Sequence, residues 1–133
     1  MKTNTSTGLL ILRLTIGTLL LVHGVSKLYN GVGWISDMLG SPGHISPVAY
    51  LVFMGELFAT VLLICGFRTK IAAMLIIINM CAAIFLVHRN EIFTFSENGG
   101  WGIELPALFL FGAITLFFAG GGEYAASNES NWD

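Results

Sequence analysis

Four apolar stretches, each about as long as a bilayer is thick, dominate this chain of 133 residues and leave few folds open to it. The first reads GLLILRLTIGTLLLVHGVS from Gly8 to about Ser26, and the second VAYLVFMGELFATVLLIC from Val48 to Cys65. The third, IAAMLIIINMCAAIFLV, runs from Ile71 to Val87, and the fourth, IELPALFLFGAITLFFA, from Ile103 to Ala119. A helix rising 1.5 Å per residue crosses the roughly 30 Å hydrocarbon layer in about 20 residues, so each stretch can span it. A spanning β-strand alternates apolar with polar residues, whereas these segments are apolar all round. Pro106 falls in the first turn of the last stretch, where its missing N–H costs nothing. The expectation is an all-α fold, one membrane domain over residues 1–133 built as an up-down bundle of four transmembrane helices, with 120–133 as a tail. Composition agrees: 11% of residues are charged, against about a quarter in soluble domains.

Lys2 before the first run raises the alternative of a cleaved signal segment. The following VHGVSKLYNGVG offers no convincing small-x-small cleavage site, and the run is long for a signal, so an uncleaved span is expected. Between spans one and two, WISDMLG (Trp34 to Gly40) sets Trp34, Ile35, Met38 and Leu39 at helical spacing with Asp37 opposite. That pattern predicts a short interfacial helix capping the bundle. His44, in SPGHISP, reads as a solvated turn residue.

Basic residues near the span ends set orientation. Lys2 precedes span one and Arg68 and Lys70 flank the tight turn between spans two and three, whereas the other two connections hold only Lys27 and Arg89. The bias favours a multi-pass protein of the inner, cytoplasmic membrane with both termini in the cytoplasm. Tyr29, Trp34, Tyr50, Phe93, Phe95 and Trp101 flank the long connections and would line the outer interface.

That topology gives each polar residue a depth. His23 lies about one turn below the outer end of span one, and Glu56 about 12 Å below the outer end of span two. His88 closes span three and Glu104 opens span four at the same level, with Lys27 just above; Arg13 and Asn79 lie deeper. Glu56 shares its face with Ala59 and Thr60, Asn79 with Ala72, Ala82 and Ala83, and Arg13 with Gly17 and Gly24. Small residues let another helix approach, so these polar groups are expected to face the interior, where charge is tolerated. Two readings of Glu56 stay open: a structural partner of Arg13, His23 or Asn79, or a proton acceptor in a site. Two His and two Glu also match a metal ligand count. They come singly from separate helices, with no Glu-x-x-His or His-x-x-x-His pair, so no metal is expected. Cys65 and Cys81 differ in depth and form no Cys-x-x-Cys, which excludes a disulfide-generating reductase of the four-helix kind. No haem-attachment, phosphate-loop or dinucleotide motif is present, and no nucleic-acid partner is expected.

LLILRLTIGTLLLVHGVSKL at Leu9 to Leu28, GELFATVLLICGFRTKIAA at Gly55 to Ala73 and NGGWGIELPALF at Asn98 to Phe109 together resemble the DoxX family of small four-helix membrane proteins. The resemblance covers about residues 8 to 125. It implies quinone-linked redox work with a partner protein, or an accessory role in a membrane complex; ion translocation is a distant third. Under the first reading no tightly bound cofactor is expected and a quinone is the ligand. His23, Glu56, His88 and Glu104 then form the reactive cluster, the carboxyls carrying protons, and His23, Lys27 and Trp101 contact the headgroup. A quinone needs a donor for each carbonyl oxygen, an apolar wall for its ring and side access for its tail.

Overall fold

The computed structural model describes residues 4–31, 33, 37, 47–97 and 99–133. Four α-helices and no strand are found among them: α1 (Thr5–Asn30), α2 (Pro47–Cys65), α3 (Thr69–Leu86) and α4 (Glu104–Ala119), with a 3-10 turn at Arg89–Glu91. The interfacial helix expected at Trp34 to Gly40 and the loop holding His44 lie outside the described residues, Asp37 apart.

Local chemistry sets the helix ends. The Asn4 side chain accepts from the Thr7 amide at 3.0 Å, capping α1. The helix continues past the expected Ser26 to Asn30, whose side chain donates to the Ser26 hydroxyl at 3.1 Å. Pro47 opens α2 at a position where no N–H is needed. Two left-handed residues, Gly66 (φ 71°) and Arg68 (φ 50°), then reverse the chain in three residues. Gly120 ends α4.

The helices pack as a ring: α1 on α2, α2 on α3, α3 on α4, and α4 back on α1. Neighbours run antiparallel. Lys27 at one end of α1 meets Glu56 in α2, while Arg13 near the other end lies against Gly66. On the opposite side His23 contacts Phe109 of α4, and Arg13 reaches Gly121 beyond its end. Ala59, Ala72, Ala73 and Ala113 are fully buried, so backbones approach closely around Leu20, Leu63, Ile76 and Leu116. Outward faces are apolar too: Ile11 and Val22, Phe58 and Val61, Ile78 and Phe85, Leu108 and Phe111 are exposed on α1 to α4 in turn. An apolar belt on every helix is foreign to a water-facing bundle. Two helices, over Thr5–Lys27 and Thr69–Leu86, are long and apolar enough to cross a membrane; the apolar pieces Phe53–Cys65 and Glu104–Ala119 are shorter.

Residues 120–133, expected only as a polar tail, fold across the end of the bundle that carries the Gly66 turn. Arg13, 1% exposed, donates through Nη1 to the Gly121 carbonyl (3.0 Å) and through Nη2 to that of Tyr124 (3.2 Å). The Ala126 and Ser127 amides donate to the carbonyls of Cys65 (3.3 Å) and Gly66 (3.2 Å). At the far end of the segment the Ser127 side chain, the Ser130 amide at 2.6 Å and the Arg68 guanidinium at 3.7 Å hold the Asp133 carboxyl below the usual carboxylate range. A depressed folded-state value contributes stability that is complete above the unfolded value of about 3.9 and fades as pH falls through the folded one. Protection of the Ala126 and Ser127 amides from exchange should therefore hold between about pH 8 and 5 and drop in stronger acid. In Asp133→Asn the protection should already be weaker at neutral pH; an Asp133→Asn profile identical to the parent's would show that the carboxylate does not hold the tail.

Candidate functional site

At the end of the bundle away from the Gly66 turn lies a cleft of about 180 Å³. Its walls are Leu20, His23 and Lys27 of α1, Glu56 of α2, Met80, Ala83, Val87 and His88 on and just after α3, and Leu105, Pro106 and Phe109 of α4. Four sequence-predicted polar residues thus meet in one apolar space.

Glu56 reaches it because α2 turns the same face inward that carries Ala59 and Thr60, both 0% exposed, and the Thr60 hydroxyl donates to the Glu56 carbonyl at 2.8 Å. The Glu56 side chain is 2% exposed and accepts from Lys27 Nζ, itself 24% exposed. This partner differs from Arg13, His23 and Asn79, the ones expected. Arg13 is held at the other end by tail carbonyls, and the four-carbon stem of Lys27 lets a residue placed above the carboxylate reach down to it. The buried charge is compensated, as burial requires.

His23 is exposed beside the cleft and meets Phe109 edge-on, ring centroids 6.1 Å apart and planes at 76°. His88 Nδ1 lies 2.8 Å from Glu91 Oε2. In the neutral ring that carboxylate selects the tautomer with the proton on Nδ1 and leaves Nε2 as an acceptor. Glu91 escaped the sequence reading, although its position three residues after a helix-ending histidine was the available signal. The apolar walls from Leu105, Pro106 and Phe109 were equally unmarked, since nothing in a uniformly apolar helix distinguishes a wall from a lipid-facing side.

Glu104 and Trp101 do not reach the cleft. The Glu104 carboxylate folds back to accept from the Trp101 amide at 3.2 Å, and Trp101 Nε1 donates to the Ile92 carbonyl at 2.7 Å. Both serve the loop before α4, where Phe95 and Trp101 pair as an isolated antiparallel bridge. Asn79 is buried within α3. Among the described residues no three His, Cys, Asp or Glu side chains converge as metal ligands would.

Chemically the cleft offers an ammonium donor, a buried carboxylate and two imidazoles set in hydrocarbon walls. Such an arrangement can orient a small ring with polar oxygens and exchange protons with it.

Comparison with known proteins bears on this arrangement. Over 103 residues, 77% of this chain and 76% of the relative, it is 33% identical to a Bacillus subtilis protein named "Putative oxidoreductase CatD". A Haemophilus influenzae protein, named only "Uncharacterized protein", is 27% identical over 125 residues, 91% of this chain and 89% of that one. No solved structure matches. The DoxX family pattern matches residues 8–89, more than half of the chain, including His23, Lys27, Glu56 and His88 but not Glu91, Trp101, Glu104 or the α4 wall. With its apolar helices and that match, this chain is a membrane protein that belongs to the DoxX family.

Proposed function

We propose that the chain crosses the cytoplasmic membrane four times and binds a quinone or quinol headgroup in the cleft, as one component of a redox system with a partner protein. The observation that carries this reading is the convergence of His23, Lys27, Glu56 and His88 on a space of about 180 Å³ walled by apolar side chains. A dry cavity of about 150 Å³ is enough to admit benzene, so one substituted six-membered ring fits here.

Packing supports four crossings: α2 and α4 lie antiparallel between α1 and α3, and their outward faces are as apolar as those of the two long helices. Arg68 and Lys70 at the turn end favour a cytoplasmic side for that end, with the first residues of α1 and the tail, and an outer-leaflet position for the cleft. Within the cleft Lys27 and His23 are the donors for a carbonyl oxygen, Phe109 is the wall for the ring, and Glu56 and His88 hold or pass protons. Reduction of a quinone consumes two electrons and two protons, one proton per oxygen. The chain's residues handle the protons, and the reading assigns the electrons to the partner, since no haem-attachment or dinucleotide motif occurs in the sequence. The alternative, an accessory subunit without chemistry, draws on one feature: the Lys27–Glu56 pair is already complete and can serve packing alone.

His23→Gln and Glu56→Gln separate the two. Binding of a decyl-substituted benzoquinone to protein in lipid nanodiscs should weaken about tenfold in each, the loss of one good hydrogen bond, at normal abundance. Unchanged binding with reduced abundance would favour the accessory reading.

A further inference from the structure

The seam between α1 and α4 changes along its length. Near the turn end it is closed: a Cβ on Gly112 would lie 2.2 Å from Ile16 Cδ1, so the two helices touch there with no room for a side chain. Ile16 is 4% exposed and Leu12, on the same stripe of α1, is half-buried. Two turns further on, His23 is exposed, although at about 100° per residue it lies only about 20° from Ile16, nearer than Leu12 at about 40°. On α4 the counterpart of Gly112 two turns away is Leu105, about 20° off the same line and 44% exposed. At this level each helix therefore carries an exposed side chain that also lines the cleft, while the buried Phe109 ring still meets His23 edge-on from below.

We infer that the cleft opens sideways into the bilayer through this upper part of the α1–α4 seam, and that its ligand is a ring carrying an apolar chain that lies in the seam between His23 and Leu105. Three observations support the occupant. The cleft has room for a ring and little more, so any longer ligand must continue outside it. Leu19, one turn before His23 on α1, and Leu108, one turn after Leu105 on α4, are exposed and apolar, which suits a hydrocarbon chain and repels a polar one. His23 would otherwise present an imidazole to acyl chains, a costly placement that a polar ring edge relieves. The occupant rests on the quinone reading above; the direction of the opening does not.

The test uses Leu105→Cys, with Cys65 and Cys81 replaced by Ser, carrying a nitroxide and reconstituted in nanodiscs. The nitroxide should collide more often with oxygen, which concentrates in hydrocarbon, than with a water-soluble nickel chelate. A decyl-benzoquinone at ten times its dissociation constant should cut the oxygen-accessible fraction about tenfold, and the same ring without the chain should leave it unchanged. Nickel collisions equal to or above those with oxygen would overturn the lateral opening. Equal protection by both quinones, or none while the labelled protein itself still binds both of them, would overturn the chain's placement. If the parent protein binds neither quinone, the quinone reading and its chain fall together, while the oxygen-to-nickel ratio still decides the opening.

Discussion

Lys27→Met should destabilise the bundle by about 2–4 kcal/mol, because it strips the partner from a carboxylate that is 2% exposed. The reverse substitution is gentler. Glu56→Gln removes the charge that burial makes expensive and leaves Lys27, 24% exposed, free to extend toward the membrane surface. Lys27→Met with Glu56→Gln should then recover most of the loss, since no unpaired charge remains. Unfolding by SDS titration in mixed micelles measures all three. Additive losses, or Glu56→Gln falling below Lys27→Met, would show that the pair is not the buried unit described here. This asymmetry is also what makes Glu56→Gln suitable for the binding experiment, where the protein must stay folded.

Gly66→Ala should be the most damaging single-methyl addition at the described glycines. The new Cβ would fall 2.1 Å from Arg13 Nη1, 2.6 Å from its Cζ and 2.8 Å from the Ala125 Cα. At φ 71° the residue also sits where an L side chain is strained, by about 1–2 kcal/mol. The guanidinium has nowhere to retreat, so its hydrogen bonds to the Gly121 and Tyr124 carbonyls go. A bond to a charged group is worth about 1.5–3 kcal/mol, and the combined loss should exceed about 3 kcal/mol. SDS titration should show it, together with loss of exchange protection at Ala126 and Ser127, whose amides the same turn engages. A variant with parental stability and a protected tail would contradict the latch.

These two residues mark where the sequence is informative and where it stops. Helical spacing was enough to bury Glu56, since its companions Ala59 and Thr60 identify the face that another helix covers. It was enough to bury Arg13 as well, but not to find its partners. Those are backbone carbonyls in a glycine-rich, non-periodic segment, and every residue has a carbonyl. Depth along a span was legible from residue counting, which brought His23, Lys27, Glu56 and His88 to one level. Azimuth and reach were not. Lys27 passed for a rim residue because a long side chain covers more distance than its Cα position suggests. Glu104, at the right level, is captured by the Trp101 amide instead, a local hydrogen bond that forms as the chain enters α4. The helix ends were legible to within a few residues, α1 being extended by the Asn4 cap and by the Asn30–Ser26 hydrogen bond, which hydropathy does not register.

Photolabelling locates the ligand most directly. An azido-benzoquinone with a decyl chain, irradiated with the protein in native lipid and mapped by mass spectrometry, should attach within Leu20–Lys27 of α1 and Leu105–Phe109 of α4, and a tenfold excess of unmodified decyl-benzoquinone should suppress it. Adducts scattered along the outward faces of all four helices and insensitive to competitor would contradict a quinone site in the cleft.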